Sequence, residues 1–369
     1  MAVNISKPIK VIVWGPGSLG GACLREVMKL PEYELVGVLA FDPAKDGMDA
    51  GDLIAGPKTG VRVTTDKEAI FALDADCVIH TPRALPDFHD YDADVIRLLE
   101  SGKNVVSGAC YHFPPIHGDD YAQRLEQGCV KGGVSLHGTG VHPGFLMERL
   151  AITATGLSNR VETIAIREVT DCSRIQSRPF MEAFGFGADP AAFDPDGPVS
   201  QLTDRYFHEA IEFVGRRLWG RPLDRIEKIS RPEVAQEDIE ILCMTIPKGR
   251  ISNIIYEFTG YLDGEAKIVL GQYWYQRHSP VPEATSPHYW DIEVEGEPCS
   301  LRLRLDAFAS ARRQSEEIEG DPTMLTFYAT GVPILQAIPR VCAAPPGLVY
   351  ADVFGHFAPD LRSIVEPVG

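Results

Sequence analysis

The run Val11-Ile12-Val13-Trp14, followed at once by Gly15-Pro16-Gly17-Ser18-Leu19-Gly20, is the stretch that leaves this chain the fewest choices. Apolar residues rich in β-branching read as a buried strand, and three glycines at G-x-G-x-x-G spacing read as a tight turn into a helix. Gly15 permits the turn, Gly17 lets backbone N–H groups approach a phosphate, and Gly20 lets the helix pack closely. The continuation Ala22-Cys23-Leu24-Arg25-Glu26-Val27-Met28 keeps a helical apolar face. The orphan N–H donors and partial positive charge of a helix start therefore fall at the turn. Residues 15–20, with Pro16, Ser18 and Leu19 between the glycines, are read as a pyrophosphate cradle. The competing reading is a glycine-rich turn that holds no ligand.

Strands and helices alternate after it. Tyr33 to Phe41 is a second apolar strand closed by Asp42-Pro43. Asp42 stands 22 residues past Gly20, where a carboxylate meets ribose hydroxyls; the competing reading is a turn-initiating Asp before proline. Lys45 is placed to face a 2′-phosphate instead. A carboxylate about 4 Å from such a phosphate costs several kcal/mol at an effective dielectric near 20, so NAD(H) is expected over NADP(H), which stays as the alternative.

Asp76 to Pro82 reads as a buried strand that brings Thr81 and Pro82 to the cofactor edge, and Asp92 to Glu100 as a helix closed by Gly102. Asn104 to Gly108 is a short strand whose exit loop carries Ala109 and Cys110 towards the cofactor and then two proton-capable side chains, Tyr111 and His112. A last strand, Gly133 to Gly138, leads to His142. His112 ranks first for proton transfer, since an imidazole titrates near neutrality; Tyr111 and His142 follow, and a packing or surface role competes for each. The alternation predicts a doubly wound parallel α/β sheet.

From Arg160 the period changes. Val161 to Val169 alternates polar and apolar like a half-buried antiparallel strand, and strands are expected at Ile239–Thr245, Arg250–Tyr261, Ala266–Trp274, Tyr289–Val294 and Ser300–Leu305. Asp204 to Leu218 is an amphipathic helix. Aromatics crowd at Tyr273, Trp274, Tyr275 and His278, then at His288, Tyr289 and Trp290; cross-strand packing is the plainer reading. Charges cluster along Arg167 to Arg174, with Glu168 a distant candidate for chemistry and exposed ion pairs the competing reading. Met324 to Ala343 is a long apolar helix holding Pro333 and Pro339. Each proline removes an i→i−4 bond, so kinks near the cofactor are expected, with Gln336 as an amide partner for a carboxamide.

Composition narrows the partners. The 369 residues, above the usual size of one domain, carry 35 basic and 52 acidic side chains. A net charge of −17 opposes nucleic acid and anionic membranes, which leaves a small-molecule substrate. No apolar run is long enough to span a bilayer and no signal-peptide pattern opens the chain, so a cytoplasmic location is expected. Eight cysteines without a C-x-x-C pair predict reduced thiols and no metal site.

The chain resembles the dihydrodipicolinate reductase-like NAD(P)-dependent oxidoreductases, and within them the branch of 2,4-diaminopentanoate dehydrogenase and the native amine dehydrogenases. The residues that carry the likeness are Gly15-Pro16-Gly17-Ser18-Leu19-Gly20, Asp49-Ala50-Gly51-Asp52-Leu53, Ser101-Gly102-Lys103-Asn104-Val105-Val106, Gly138-Thr139-Gly140-Val141-His142-Pro143-Gly144-Phe145, Ala337-Ile338-Pro339 and Pro345-Pro346-Gly347-Leu348. The resemblance implies a Rossmann domain over 1–148, a mostly antiparallel substrate and dimerisation domain over 149–322, and a C-terminal helix and tail, 323–369, returning to the Rossmann domain. It implies hydride transfer to or from a small carbonyl, imine or amine, or activated alkene, and a homodimer. The chain departs from the family in three places. The Lys-x-Asp-Ala-Pro-Ser-Gly-Thr stretch of the reductases is absent, Tyr111-His112 stands where amine-forming members carry a glutamate, and His142-Pro143-Gly144 replaces Asn-Pro-Gly. A non-catalytic dinucleotide sensor that has lost that glutamate is the alternative function.

Overall fold

The computed structural model describes residues 7–82, 88–276, 288–313, 315, 318–321 and 323–360. These form two compact units, one built from 7–146 with 327–351, the other from 147–326 with 352–360. The tail is thus divided. Residues 352–360 belong to the second unit, where Arg217 donates to Asp352 Oδ1 (3.0 Å) and to the Val353 carbonyl (3.2 Å), and not to the nucleotide-fold unit.

In the first unit the elements, numbered along the whole chain, are β1 (Ile9–Trp14), α1 (Ser18–Val27), β2 (Tyr33–Leu39), β3 (Val63–Thr64), α2 (Lys67–Ala72), β4 (Cys77–His80), α3 (Asp92–Glu100), β5 (Asn104–Ser107), α4 (Asp119–Gly132), β6 (Ser135–Gly138), α8 (Leu325–Cys342) and β15 (Gly347–Leu348). All seven strands run parallel in the order β3-β2-β1-β4-β5-β6-β15. The strands are apolar on both faces because helices cover both. Val11 and Val13 pack with Leu24 of α1 and Ile334 and Ile338 of α8, while Ile12 and Trp14 pack with Val95 and Leu98 of α3 and Leu125 of α4. Burying each such side chain contributes about 1.5–3 kcal/mol, which fixes the faces of every strand. The chain leaves β1 towards β2 and β3 and returns on the other side at β4, so the switch point of the sheet lies between β1 and β4.

The second unit holds α5 (Ile152–Ala154), β7 (Arg160–Asp171), α6 (Arg178–Ala183), α7 (Pro198–Trp219), β8 (Arg225–Val234), β9 (Ile239–Glu240), β10 (Thr245–Ile246), β11 (Ile251–Leu262), β12 (Glu265–Tyr275), β13 (His288–Glu297) and β14 (Leu301–Asp306). Its six-stranded sheet, β14-β13-β7-β12-β11-β8, is antiparallel except for the parallel pair β7–β12. Helix α7 lies on one face, its Phe207 ring 5.4 Å from that of Phe258. One expectation needs correction here, and one strand is new. Ile239–Thr245 is not one strand: the chain turns between Ile241 and Met244, pairing β9 with β10. Strand β8 was not anticipated, because Arg225 to Val234 is charged at alternate positions and contains Pro232, a residue that an edge strand tolerates.

Helix α8 runs through both prolines, and the consequence of Pro339 differs from the expectation. Without an N–H, Pro339 leaves the Leu335 carbonyl unpaired within the helix. That carbonyl accepts instead from the Tyr33 hydroxyl at 2.7 Å, at the start of β2 and so at the amino edge of the sheet, away from the turn after β1. Tyr33→Phe should therefore destabilise the protein by about 1 kcal/mol, the cost of an unsatisfied part-buried acceptor, measured by urea unfolding. An unchanged midpoint and slope would contradict this account of how the helix tolerates its proline.

Candidate active site

The turn after β1 is built against the end of β4. Gly15 N donates to the Leu39 carbonyl (2.9 Å) and Gly17 N to the Gly15 carbonyl (2.8 Å), while the Thr81 amide donates to the Trp14 carbonyl (2.9 Å) and its hydroxyl to the Gly15 carbonyl (3.1 Å). Gly15 has φ +92, and a Cβ there would stand 2.5 Å from the Thr81 carbonyl oxygen. A Cβ on Gly20 would overlap the Gly15 carbonyl. Gly17 is the contrast: nothing lies within 4 Å of its Cβ position. It caps the ten-residue helix α1 without a side-chain bond, and no acidic residue occupies the first turn. A concave, uncrowded backbone at a helix N-terminus is the shape and polarity that a pyrophosphate requires, so residues 15–20 fit a dinucleotide.

At the rim, Asp42 is exposed after β2, and its Oδ1 accepts from Ala44 N (2.9 Å), capping the short turn Pro43–Lys45. The turn-initiating role therefore exists in the structure, and Oδ1 serves it. Lys45 Nζ reaches the Pro16 carbonyl at 3.3 Å, which sets a cation beside the cradle. His80, hidden within an apolar strand in the sequence, ends β4 with Nδ1 3.0 Å from Ser107 Oγ. Burial pushes its pKa down to about 3, so the imidazole is neutral.

The loop after β5 does not present all the groups expected of it. Tyr111 adopts φ +74 and turns inward, its hydroxyl donating to the buried Asp92 carboxylate at 2.9 Å beside that of Tyr121 at 3.0 Å. It is a packing residue of the core on the α3 and α4 side, which corrects its candidacy for proton transfer. The Cys110 thiol is buried in the same core. Gly138 lies so close to this loop that a Cβ would meet His112 N at 2.5 Å, which holds the buried His112 at the carboxyl end of β5 and β6. His142 follows β6 in extended backbone (φ −153, ψ 104). Ala109 N donates to Ser107 Oγ (3.2 Å), and Pro82 follows Thr81 against the Gly15 turn. Gln336 is exposed on α8, next to the Leu335 carbonyl that Tyr33 binds at the amino edge, so it cannot serve a carboxamide at the opposite edge.

In the second unit Glu168 is far more enclosed than an exposed ion pair would be. It is 7% exposed at the centre of the sheet, in register with Gln272 on β12 and Trp290 on β13. It accepts from Gln272 Nε2 (3.1 Å), Trp274 Nε1 (3.1 Å) and Trp290 Nε1 (3.0 Å). The aromatic cluster read as packing therefore also donates hydrogen bonds. His288 is buried in register with Thr170, and burial lowers its pKa. His278 lies outside the described residues.

No family model matches the chain. Among characterised proteins it is similar to an amine dehydrogenase of Streptomyces virginiae, 26% identical over 353 residues that make up 92% of this chain and 94% of that protein. It is also similar to a 2,4-diaminopentanoate dehydrogenase of Acetoanaerobium sticklandii, 27% identical over 270 residues, 70% of this chain and 74% of the relative. Among solved structures it shares its fold with an amine dehydrogenase from Mycobacterium smegmatis at a TM-score of 0.72, with 20% identity and coverage of 94% and 96% of the two chains. The chain is a dehydrogenase-type oxidoreductase.

For this dehydrogenase the resemblance read from its motifs holds, and Asp49-Ala50-Gly51-Asp52-Leu53 acquires a physical role. Asp49 accepts from the amides of Gly51, Thr59 and Gly60, each at 2.9 Å, and so ties the segment after β2 into one turn. The cradle makes a sharp distinction between two of its glycines. Gly17→Val should fold with an unchanged melting temperature yet lose NADH binding by calorimetry, since its side chain enters open space where the phosphates belong. Gly20→Ala should lower the melting temperature itself by several degrees, because its Cβ strikes the turn. Full NADH affinity in the valine variant would remove the cradle from the account.

Proposed function

We propose that the protein uses a nicotinamide dinucleotide to interconvert a small primary amine and its carbonyl counterpart. In the synthetic direction a carbonyl compound, ammonia, reduced dinucleotide and a proton give the amine, oxidised dinucleotide and water. The observation that carries this reading is the open backbone at Gly17, inside a chain that aligns over 92% of its length with an amine dehydrogenase. A bound nicotinamide supplies the hydride. The chain's own contribution begins with the phosphates, which the N–H groups at the start of α1 bind without reorganising, with the Lys45 ammonium beside them. Thr81 keeps this turn in place by bonding two of its carbonyls. His112, held at the carboxyl end of the sheet, is the group we assign to proton transfer with substrate, and His142 is its alternative.

We further assign a preference for NAD(H). The Asp42 carboxylate follows β2, its Oδ1 pinned by Ala44 N, and a 2′-phosphate beside it would meet like charge. Similarity to two dehydrogenases does not favour the sensor alternative.

The expected outcome is NADH consumption that requires both a small aldehyde or ketone and an ammonium salt, with amine detected as product and NADPH the poorer donor. His112→Ala should lower kcat by about 10²- to 10⁴-fold while NADH affinity stays within a factor of two. NADH oxidation that proceeds equally well without ammonium would replace amine formation with simple carbonyl reduction.

A further inference from the structure

Two thiols meet at the amino edge of the seven-stranded sheet, on elements that lie far apart in the chain. Cys77 is the first residue of β4 and Cys342 the last of α8. Cys77 is buried and Cys342 half-buried, and Cys342 packs against the apolar cluster to which Cys77 belongs. The Cys342 Sγ lies 4.0 Å from the carbonyl oxygen of Asp76, the residue bonded to Cys77. That oxygen already accepts from Asn104 N (3.1 Å) and from Asn104 Nδ2 (2.9 Å), so both its lone pairs are engaged. The partner that remains for Cys342 is the Cys77 thiol, with which it shares a hydrogen bond.

Both backbones are pinned. The Asp76 amide donates to the Lys10 carbonyl (2.9 Å), and Cys77 stands in register with Val11 on one side and Asn104 on the other. Helix α8 is held to the same cluster by Ile334, Ile338 and Val341, and by the Tyr33 hydroxyl at the Leu335 carbonyl. Burial and the adjoining Cys342 sulfur push the Cys77 thiol well up, which makes it a poor first nucleophile and leaves attack on an oxidant to the half-buried Cys342. One thiol within reach of solvent and a second fixed behind it is the arrangement in which an oxidised cysteine meets a resolving partner.

We propose that Cys77 and Cys342 form an oxidative modification site, closing to a disulfide that fastens the end of α8 to the start of β4 when the protein meets hydrogen peroxide. The Cys342 sulfur attacks the O–O bond, keeping one oxygen as a sulfenic acid and releasing the other as water. The Cys77 sulfur then attacks the Cys342 sulfur, forming the S–S bond and expelling the hydroxyl, which leaves as water with the Cys77 proton. Two thiols and one peroxide thus give one disulfide and two waters. The link joins residues separated by most of the chain, so it removes much of the unfolded chain's freedom and stabilises the folded form. It sits at the amino edge of the sheet, opposite the turn at Gly15 to Gly20, and so spares the dinucleotide site; nothing in it depends on which reaction the protein catalyses.

The test is treatment of the folded, full-length protein with hydrogen peroxide, followed by alkylation of the remaining thiols, peptide mapping by mass spectrometry and a thermal melt. The expected product is one intramolecular disulfide, Cys77 to Cys342, reversed by dithiothreitol, with the melting temperature raised by a few degrees and NADH affinity unchanged. Under the same treatment Cys342→Ser should leave Cys77 reduced, and Cys77→Ser should stop at the Cys342 sulfenic acid, captured by dimedone. A Cys342 sulfinic acid beside a reduced Cys77, either cysteine paired elsewhere, or both thiols recovered fully alkylated would overturn the proposal, and the wild-type map decides this even if Cys77→Ser fails to fold. A disulfide that forms but lowers the melting temperature would overturn it too, since the two thiols would then not be seated to join.

Discussion

The end of β4 lies so close to the turn between β1 and α1 that neither Gly15 nor Gly20 has room for a Cβ. Thr81 holds that approach by bonding the last carbonyl of β1 and the first of the turn. The direction in which α1 leaves the sheet, and therefore the direction in which its unpaired N–H groups point, follows from this single contact. Gly17 is the one glycine of the three with open space around its Cβ position. The same contact falls at the switch point of the sheet, where adjacent crossovers diverge and leave a crevice.

Two carboxylates show how the same interaction yields opposite outcomes. Asp49 is enclosed by backbone amides, with Thr59 N the strongest contributor, and those hydrogen bonds hold its carboxyl down at about 2. Its donors come from its own loop, and the result is a closed turn. Glu168 takes its donors from side chains on two neighbouring strands, and one of those side chains, Gln272, is left with a spare acceptor. The first arrangement closes a turn; the second ties three neighbouring strands together.

What the sequence could disclose depended on whether the deciding partner was local. The parallel strands were legible because burial on both faces makes them continuous apolar runs, and Gly15 to Gly20 because the turn chemistry lies within six residues. Long helices were legible from their period, although α7 begins at Pro198, earlier than its apolar face suggested, since proline suits a helix's first turn. The inward direction of Tyr111 was not legible, because it depends on Asp92, 19 residues earlier in the chain and on another element. Nor was the fate of the Leu335 carbonyl, whose partner Tyr33 lies 302 residues away. The Glu168 cluster needed the cross-strand register of β12, β7 and β13, and register is a property of the assembled sheet. Charge at alternate positions concealed β8 for a related reason: an edge strand has little apolar pattern to display.

The central claim is that this fold delivers a hydride from a nicotinamide held at the β1–α1 turn to a carbon that bears nitrogen. Its most direct test is isotope transfer: incubation with NADH deuterated at C4 on each face in turn, a small carbonyl compound and ammonium chloride, followed by mass spectrometry of the amine. One deuterium on the carbon attached to nitrogen, from one face of the dinucleotide only, is the predicted result. Tight dinucleotide binding with no deuterium in any amine, or label found only in an alcohol, would contradict it.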